Sequence, residues 1–386
     1  MRRVSVIMPS MAEEQIVSEV EQEVAKPPRT AIICSRRTIT DYSLYLKYLL
    51  LGLADESAQV LLVAPPRVNI EAVVPPAFEA VRHPAVEFPL MQRYNRKALL
   101  ERLAEFRPAL LHCLCESMAA LTSWLSRQLQ IPYILNIDSI SRPWHPVMIS
   151  PTRCVGIIAP AKSIADHLVL VHPKYADRVR QINIGVFTAE TVACFTHRDR
   201  VPGIVIAHPL TNAGDLDNIF QVFHRLGVEN YQFMAAVIGA DSAEKHIRNL
   251  LRELGLSRLV TFIGSLSGID PAIAAADIFV VPRPSSGFNM ALLAAQASGC
   301  AVAACKGGVD DLIIEDKTAV VFNPDDQLTI YSALKRLLDS PDFARQIAAQ
   351  AQEYLRQNHH VSAMVASTLQ LYREVSAEKQ ISKIKM

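Results

Sequence analysis

Residues 277–305 read "DIFVVPRPSSGFNMALLAAQASGCAVAAC", and this stretch decides the fold. It opens on an apolar, β-branched run, Ile278 to Val281, and turns through Pro284-Ser285-Ser286-Gly287-Phe288. A helix rich in Ala and Leu follows, stops at Gly299, and gives way to a second apolar run, Ala301 to Ala304. Strand, helix, strand in so short a stretch is one βαβ unit, whose two strands lie parallel. Glycine ends the helix because the left-handed conformation of a helix C-terminus costs it no Cβ clash. The turn before the helix presents backbone N–H groups, a place that suits an anion or a polar ligand. The helix itself carries no acid and no base.

Outward from this unit the same alternation continues. Toward the C-terminus come "AVVFNP", a helix from Asp326 to Leu338, a helix from Pro341 to His359, and another from Val361 to about Ala377. The tail "KQISKIKM" is expected to fray. Toward the N-terminus, strands "IVIAHPL", "QFMAAVIGA" and "LVTFIGS" alternate with helices Asp217 to Leu226, Ser242 to Leu254 and Pro271 to Ala276. Before the connection "TAETVACFTHRDRVPG" the pattern runs once already. Strands "TAIICS", "AQVLLVAPP", "PALLHCL", "PYILNID", "CVGIIAP" and "RVRQINIGV" alternate with helices Tyr42 to Leu53, Arg96 to Phe106, Ser117 to Leu129 and Ala161 to Val171. Two runs of βα units mean two parallel sheets, so the expected fold class is α/β with two doubly wound, Rossmann-like domains. The expected division is an N-terminal extension, 1–28, with a charged helical stretch from Met11 to Lys26; a first domain, 29–197; a second, 198–360; and a last helix and tail, 361–386. A ligand belongs at the carboxyl ends of the strands, in the cleft between domains.

Composition narrows the function classes. A chain of 386 residues suits two domains, and 39 basic against 38 acidic residues argue against a dedicated nucleic-acid binder. No run approaches the ~20 apolar residues of a membrane span, and the start, "MRRVSVIMPSMAEEQ", is too short in its apolar part for a signal peptide. A cytoplasmic location is the expectation, with peripheral membrane contact left open. The seven cysteines are odd in number and several sit in strand-like runs, which reads as buried free thiols. His112-Cys113-Leu114-Cys115 suggests a metal, but no second Cys or His pair at zinc spacing completes a site, so no metal and no cofactor are expected. Only 14 residues are glycine. That is roughly half the usual share of about 7%, which counts against several intact phosphate loops.

Residues 204 to about 375 resemble the C-terminal domain of retaining, nucleotide-sugar-dependent glycosyltransferases of the two-domain GT-B type, the group 1 or family 4-like enzymes. The order from "VIGADSAEKHIRNLLRELGLSRLVTFIGS" through "AVVFNPDD" carries the likeness, and residues 30–186 share it more loosely through "CVGIIAPAKSIADHL" and "INIGV". The resemblance implies a GT-B-like fold with an interdomain cleft, a nucleotide-sugar donor on the second domain, an acceptor on the first, and a last helix that crosses back. It also implies transfer with retention and without a required metal.

At its functional positions the sequence departs from that family. Two glutamates, seven residues between them, contact the donor sugar and the ribose in the family; Ser286 and Ala294 stand there. An Arg and a Lys clamp the diphosphate in the family; His208 and Ala213 stand there. The glycine-rich loop is "SRRTITDYS", and a histidine common after "PYILNI" is Asp138. Negative charge developing on a leaving diphosphate needs preorganised donors, so these changes bear directly on activity.

The donor-side candidates are therefore His208, Gly239, Arg283, Ser286, Gly287, Phe288, Asn289, Lys306, Gly307 and Gly308. Arg283 and Lys306 are replacement clamps or solvated charges at strand ends. The Gly307 and Gly308 N–H groups face a phosphate or serve packing. His208 donates to a phosphate or caps a loop, and Ser286 and Asn289 bind a hydroxyl or cap the helix. On the acceptor side stand His112 and Asp138, which end neighbouring strands, with Trp144 and His145 nearby in sequence. Asp138 and Ser286 are the catalytic candidates. Three functions follow: transfer of a sugar from a nucleotide donor to a glycan or small-molecule acceptor; a non-catalytic member that binds a protein partner or a glycan; and a sugar-nucleotide isomerase on the same scaffold.

Overall fold

The computed structural model describes residues 26–71, 73–83, 92–140, 148–196, 200–239, 243–264 and 269–384. The expected helix Met11–Lys26 lies almost wholly outside the described residues, and Trp144 and His145 lie outside them too.

Two parallel sheets organise the chain. The first holds β1 Thr30–Ile33, β2 Val60–Ala64, β3 Glu79–Arg82, β4 Leu110–Cys113, β5 Tyr133–Asn136, β6 Cys154–Ala159 and β7 Val179–Gln181, in the order β3-β2-β1-β4-β5-β6-β7. The second holds β8 Gly203–Ala207, β9 Met234–Ile238, β10 Val260–Ile263, β11 Ile278–Val281, β12 Ala301–Cys305 and β13 Val320–Phe322, in the order β10-β9-β8-β11-β12-β13. Every pairing is parallel, in register from Thr30 against Val60 and Leu110, and from Ile204 against Ala235 and Ile278. Strands β1, β2, β4, β5, β11 and β12 are buried along their whole length. Helices cover both faces of such sheets, so these strands read as unbroken apolar runs.

The helices are α1 Arg36–Thr40, α2 Ser43–Asp55, α3 Gln92–Phe106, α4 Ala119–Leu129, α5 Lys162–Val171, α6 Asp217–Val228, α7 Glu244–Glu253, α8 Ile269–Ala274, α9 Met290–Ser298, α10 Gln327–Asp339, α11 Pro341–Asn358 and α12 Val361–Ile384. The last runs through the tail expected to fray. It packs on α2 of the first sheet's layer, where a Cβ on Gly52 would overlap the Val365 side chain. Two further elements escaped the sequence reading. Strand β3, "EAVR", is half exposed at the sheet edge and lacks an apolar run. Helix α1, "RRTIT", forms because the Ser35 hydroxyl accepts from the Thr38 N–H while Thr38 returns the bond to the Ser35 N–H.

Each sheet reverses its winding at one place: between β1 and β4 in the first, between β8 and β11 in the second. The loops leaving those four strands lie where a doubly wound sheet receives ligands.

Candidate functional site

At the mouth of the first sheet, β1 leads through Ser35 into α1, β4 into Cys115-Glu116, and β5 into Asp138. These turns bring three charged groups together. The Arg37 guanidinium lies 3.9 Å from Asp138 Oδ1, and Glu116 Oε1 accepts a 3.0 Å bond from Ser139 Oγ. Burial raises the Glu116 carboxyl to about 7, and the Asp138 charge adds to the rise, against the Ser139 bond and Arg37. A carboxyl held near neutrality beside a second carboxylate is the arrangement of acid–base chemistry. A cavity of about 20 Å³ borders Asp138, Asn136, Tyr42 and Tyr45; that is room for a single water.

His112, expected on the acceptor side, is fully buried instead. Its Nε2 lies 2.7 Å from Asn136 Oδ1 and its Nδ1 2.5 Å from the Tyr372 hydroxyl on α12. Asn136 Nδ2 donates to the Tyr45 hydroxyl at 2.8 Å, so its Oδ1 accepts from the ring and Nδ1 accepts from Tyr372. Burial lowers the imidazole to about 4 and keeps it neutral. This histidine ties the last helix to the first sheet; it offers nothing to a ligand.

At the mouth of the second sheet, His208 follows β8 and Arg283 follows β11, and both face Asp215. His208 Nε2 is 3.5 Å from Asp215 Oδ2, and Arg283 Nε is 3.8 Å from Asp215 Oδ1 and donates to its carbonyl oxygen at 3.3 Å. Arg283 Nη1 also bonds Asp325 Oδ1 at 2.6 Å. Burial lowers the His208 pKa; Asp215 opposes the shift and Arg283 adds to it. Lys306 does not join this group: it pairs with Glu315 at 3.8 Å, and both side chains are exposed.

The glycines serve packing. A Cβ on Gly308, at φ +72°, would overlap the Ser285 carbonyl, and one on Gly239 would overlap the His208 carbonyl. The Gly307 N–H, expected to face a phosphate, donates to Asp310 Oδ2 at 3.0 Å. Asn289 caps α9 by accepting from the Leu292 N–H at 2.9 Å. Ala294 packs against the core.

The two mouths touch. Ile140 N–H donates to the Ser286 carbonyl at 2.7 Å, Phe288 N–H to the Asp138 carbonyl at 2.8 Å, and Ser139 pairs with Gly287 as an antiparallel bridge. The Tyr42 hydroxyl donates to the Phe288 carbonyl at 3.2 Å. A second clasp joins Asp311 to the first turn of α5: its carboxylate accepts from Ser163 N–H at 3.0 Å and from the Ser163 hydroxyl. Asp138, Ser286, Gly287 and Phe288 therefore meet, while His208, Arg283 and Lys306 do not converge as one cluster. Sequence reading missed Arg37, Glu116 and Asp215. Their signal was positional: each follows a strand at which the winding reverses.

Near this corner the Cys115 thiol is pulled down to about 5, first by the Cys113 thiol and then, against burial, by the Ser117, Ser35 and Thr38 hydroxyls. All seven cysteines are free and buried. Among the described residues, no three His, Cys, Asp or Glu side chains gather as metal ligands, and no helix is long and apolar enough to cross a membrane.

This is the two-sheet architecture of GT-B glycosyltransferases. The Anabaena protein Alr3699/HepE, solved in complex with UDP and glucose, superposes with a TM-score of 0.71 over 89% of this chain and 99% of its own, at 14% identity. Residues 204–340 match the family profile described as Glycosyl transferases group 1. The chain is 34% identical over 109 residues to the sulfoquinovosyl transferase SQD2 of Arabidopsis thaliana, covering 27% of this chain and 21% of the relative. It is 29% identical over 119 residues to a D-inositol 3-phosphate glycosyltransferase of Corynebacterium diphtheriae, covering 30% and 28%. The matches thus span under a third of these relatives' lengths.

Proposed function

We propose that this protein transfers a glycosyl group, with retention, from a nucleotide-activated sugar to an acceptor hydroxyl, where the two sheet mouths meet. The observation that carries this reading is the Arg37–Asp138–Glu116 cluster, set against Gly287-Phe288 just before α9. In the proposed reaction the acceptor oxygen bonds to the anomeric carbon as the bond to the diphosphate oxygen breaks. The hydroxyl proton passes to Glu116, which stands next to Asp138 and ionises near neutral pH. The main-chain seam must open to admit substrate. The reading places the acceptor on residues 29–197 and the donor on 198–360, with 1–28 as an extension and 361–386 as the helix crossing back. It takes a cytoplasmic location, no metal, and a glycan or small-molecule acceptor.

A second reading is a non-catalytic member that binds a glycan or a protein partner. It is favoured by one observation: Arg283 and His208 already face the protein's own carboxylates. Calorimetry against a panel of nucleoside diphosphates and nucleotide sugars, followed by assay of nucleoside diphosphate release, separates the two. Micromolar binding, with turnover falling about 100-fold in Glu116→Gln, supports transfer. A folded protein that binds no donor at millimolar concentration rejects it.

A further inference from the structure

We propose that the Asp215 carboxylate is an internal counter-ion occupying an oxyanion seat, and that a phosphate-bearing ligand enters this mouth only by displacing it. The inference rests on the reading that a diphosphate is bound on the second sheet's side. His208 Nε2 and the Arg283 guanidinium, following different strands, lie 3.5 Å and 3.8 Å from this one carboxylate, and Arg283 Nε also donates to the Asp215 main-chain carbonyl at 3.3 Å. The three side chains are 11%, 26% and 20% exposed, so water screens them little. His208 Nδ1 is buried with no hydrogen-bond partner among the described residues, and Nε2 is the ring nitrogen that faces the Asp215 carboxylate, which accepts only from an N–H there. A guanidinium beside a donor N–H in a largely dry corner requires an anion, and here the chain supplies one.

The supply is local and detachable. Asp215 sits in a single 3₁₀ turn, Ala213–Leu216, just ahead of α6. Asn212 holds that turn: its Oδ1 caps the Gly214 N–H at 3.4 Å, and its Nδ2 bonds Asp215 Oδ1 at 2.9 Å. A Cβ on Gly214 would meet nothing closer than Asp217 Oδ2 at 3.9 Å, so the turn is open beside Asp215, while Leu216 anchors its end in the core. Rotation of that one side chain removes the carboxylate from beside His208 Nε2 and the Arg283 guanidinium, whose Nε keeps its bond to the Asp215 main-chain carbonyl and whose positive charge then faces an incoming oxyanion. Asp325 differs. It is 75% exposed and reaches Arg283 from the solvent side, where it competes weakly with any ligand.

The test is calorimetric titration of the full chain with inorganic pyrophosphate, for the parent, Asp215→Asn, Asp325→Asn and the double variant Asp215→Asn/Arg283→Gln. Asp215→Asn is expected to bind at least about 10-fold tighter than the parent, in line with a charge-assisted bond released for the ligand. The gain should vanish in the double variant, and Asp325→Asn should change affinity less than about 3-fold. Asp215→Ser repeats the measurement should the Asn form fail to fold. Affinity no tighter than the parent's, in whichever variant folds, overturns the inference. Failure of the proposed function looks different: the parent turns over no sugar nucleotide, while Asp215→Asn still gains pyrophosphate.

Discussion

The mouths of the two sheets hold the same kinds of side chain and treat them oppositely. In the second, the cations are matched by carboxylates: Arg283 by Asp215 and Asp325, Lys306 by Glu315. In the first, two carboxyls share one arginine, and burial pushes Glu116 up to about 7. In the second mouth each of these cations therefore already has an internal partner. The first retains a proton whose position depends on pH and on whatever enters. Chemistry on this scaffold is therefore to be sought on the side of β1, β4 and β5.

The largest effect expected from breaking this contrast lies behind the first mouth. His112→Ala strands the Tyr372 hydroxyl and Asn136 in the core, and should cost about 3 kcal/mol, read from denaturant unfolding. A loss below about 1 kcal/mol would mean that the last helix is held by packing alone. Tyr372→Phe in the same background tests the coupling, since only a shared bond makes the two changes non-additive.

Next is the pH dependence of stability, in which two groups oppose each other. Glu116 has its folded value raised above 4.5, to about 7. The folded state therefore binds the proton more tightly, and stability falls as pH rises from about 4.5 to 7, by on the order of 2 kcal/mol. His112 is lowered from 6.5 to about 4, so stability falls as pH drops across that interval. The parent should show a shallow optimum between these limits. In Glu116→Gln the decline toward neutral pH should disappear and only the histidine's acid limb remain. Thermal unfolding from pH 4 to 8 reads this directly, and a variant that keeps the parent's neutral limb refutes the assignment.

Smaller effects concern the clasps. Ser163→Ala removes a hydroxyl from the Asp311 carboxylate but leaves the Ser163 N–H in place, and should cost roughly 1 kcal/mol. Lys306→Ala, at an exposed pair, should change stability by less than about 0.5 kcal/mol. A larger loss there would show that the second mouth leans on this lysine after all.

The sequence carried the layers well and the site partly, for one physical reason. Buried parallel strands such as β11 and β12 are apolar along their whole length, and caps such as Asn289 act within three residues. Both leave local marks. Strand β3 left none because an edge strand need not be apolar. Arg37 and Glu116 depend on partners from other strands, and neither differs in composition from a solvated surface charge. Template positions were a poor guide to them: Ser286 and Ala294 are a carbonyl at the seam and a packing methyl. His112 misled for the opposite reason. A histidine ending a strand looks like a ligand contact until a hydroxyl 260 residues away closes its bond.

That distance has a consequence for how the chain is made. The layer on which α2 lies is finished by α12, through the close contact of Gly52 with Val365 and the bond from Tyr372 to His112. A ribosome delivers the first sheet long before it delivers its cover. During that interval an apolar face of α2 and an unpaired imidazole wait exposed, a state that favours association with other nascent chains. Maturation of the N-terminal half is thereby timed by the arrival of the last helix, and a polypeptide released early would leave the first sheet's layer uncovered.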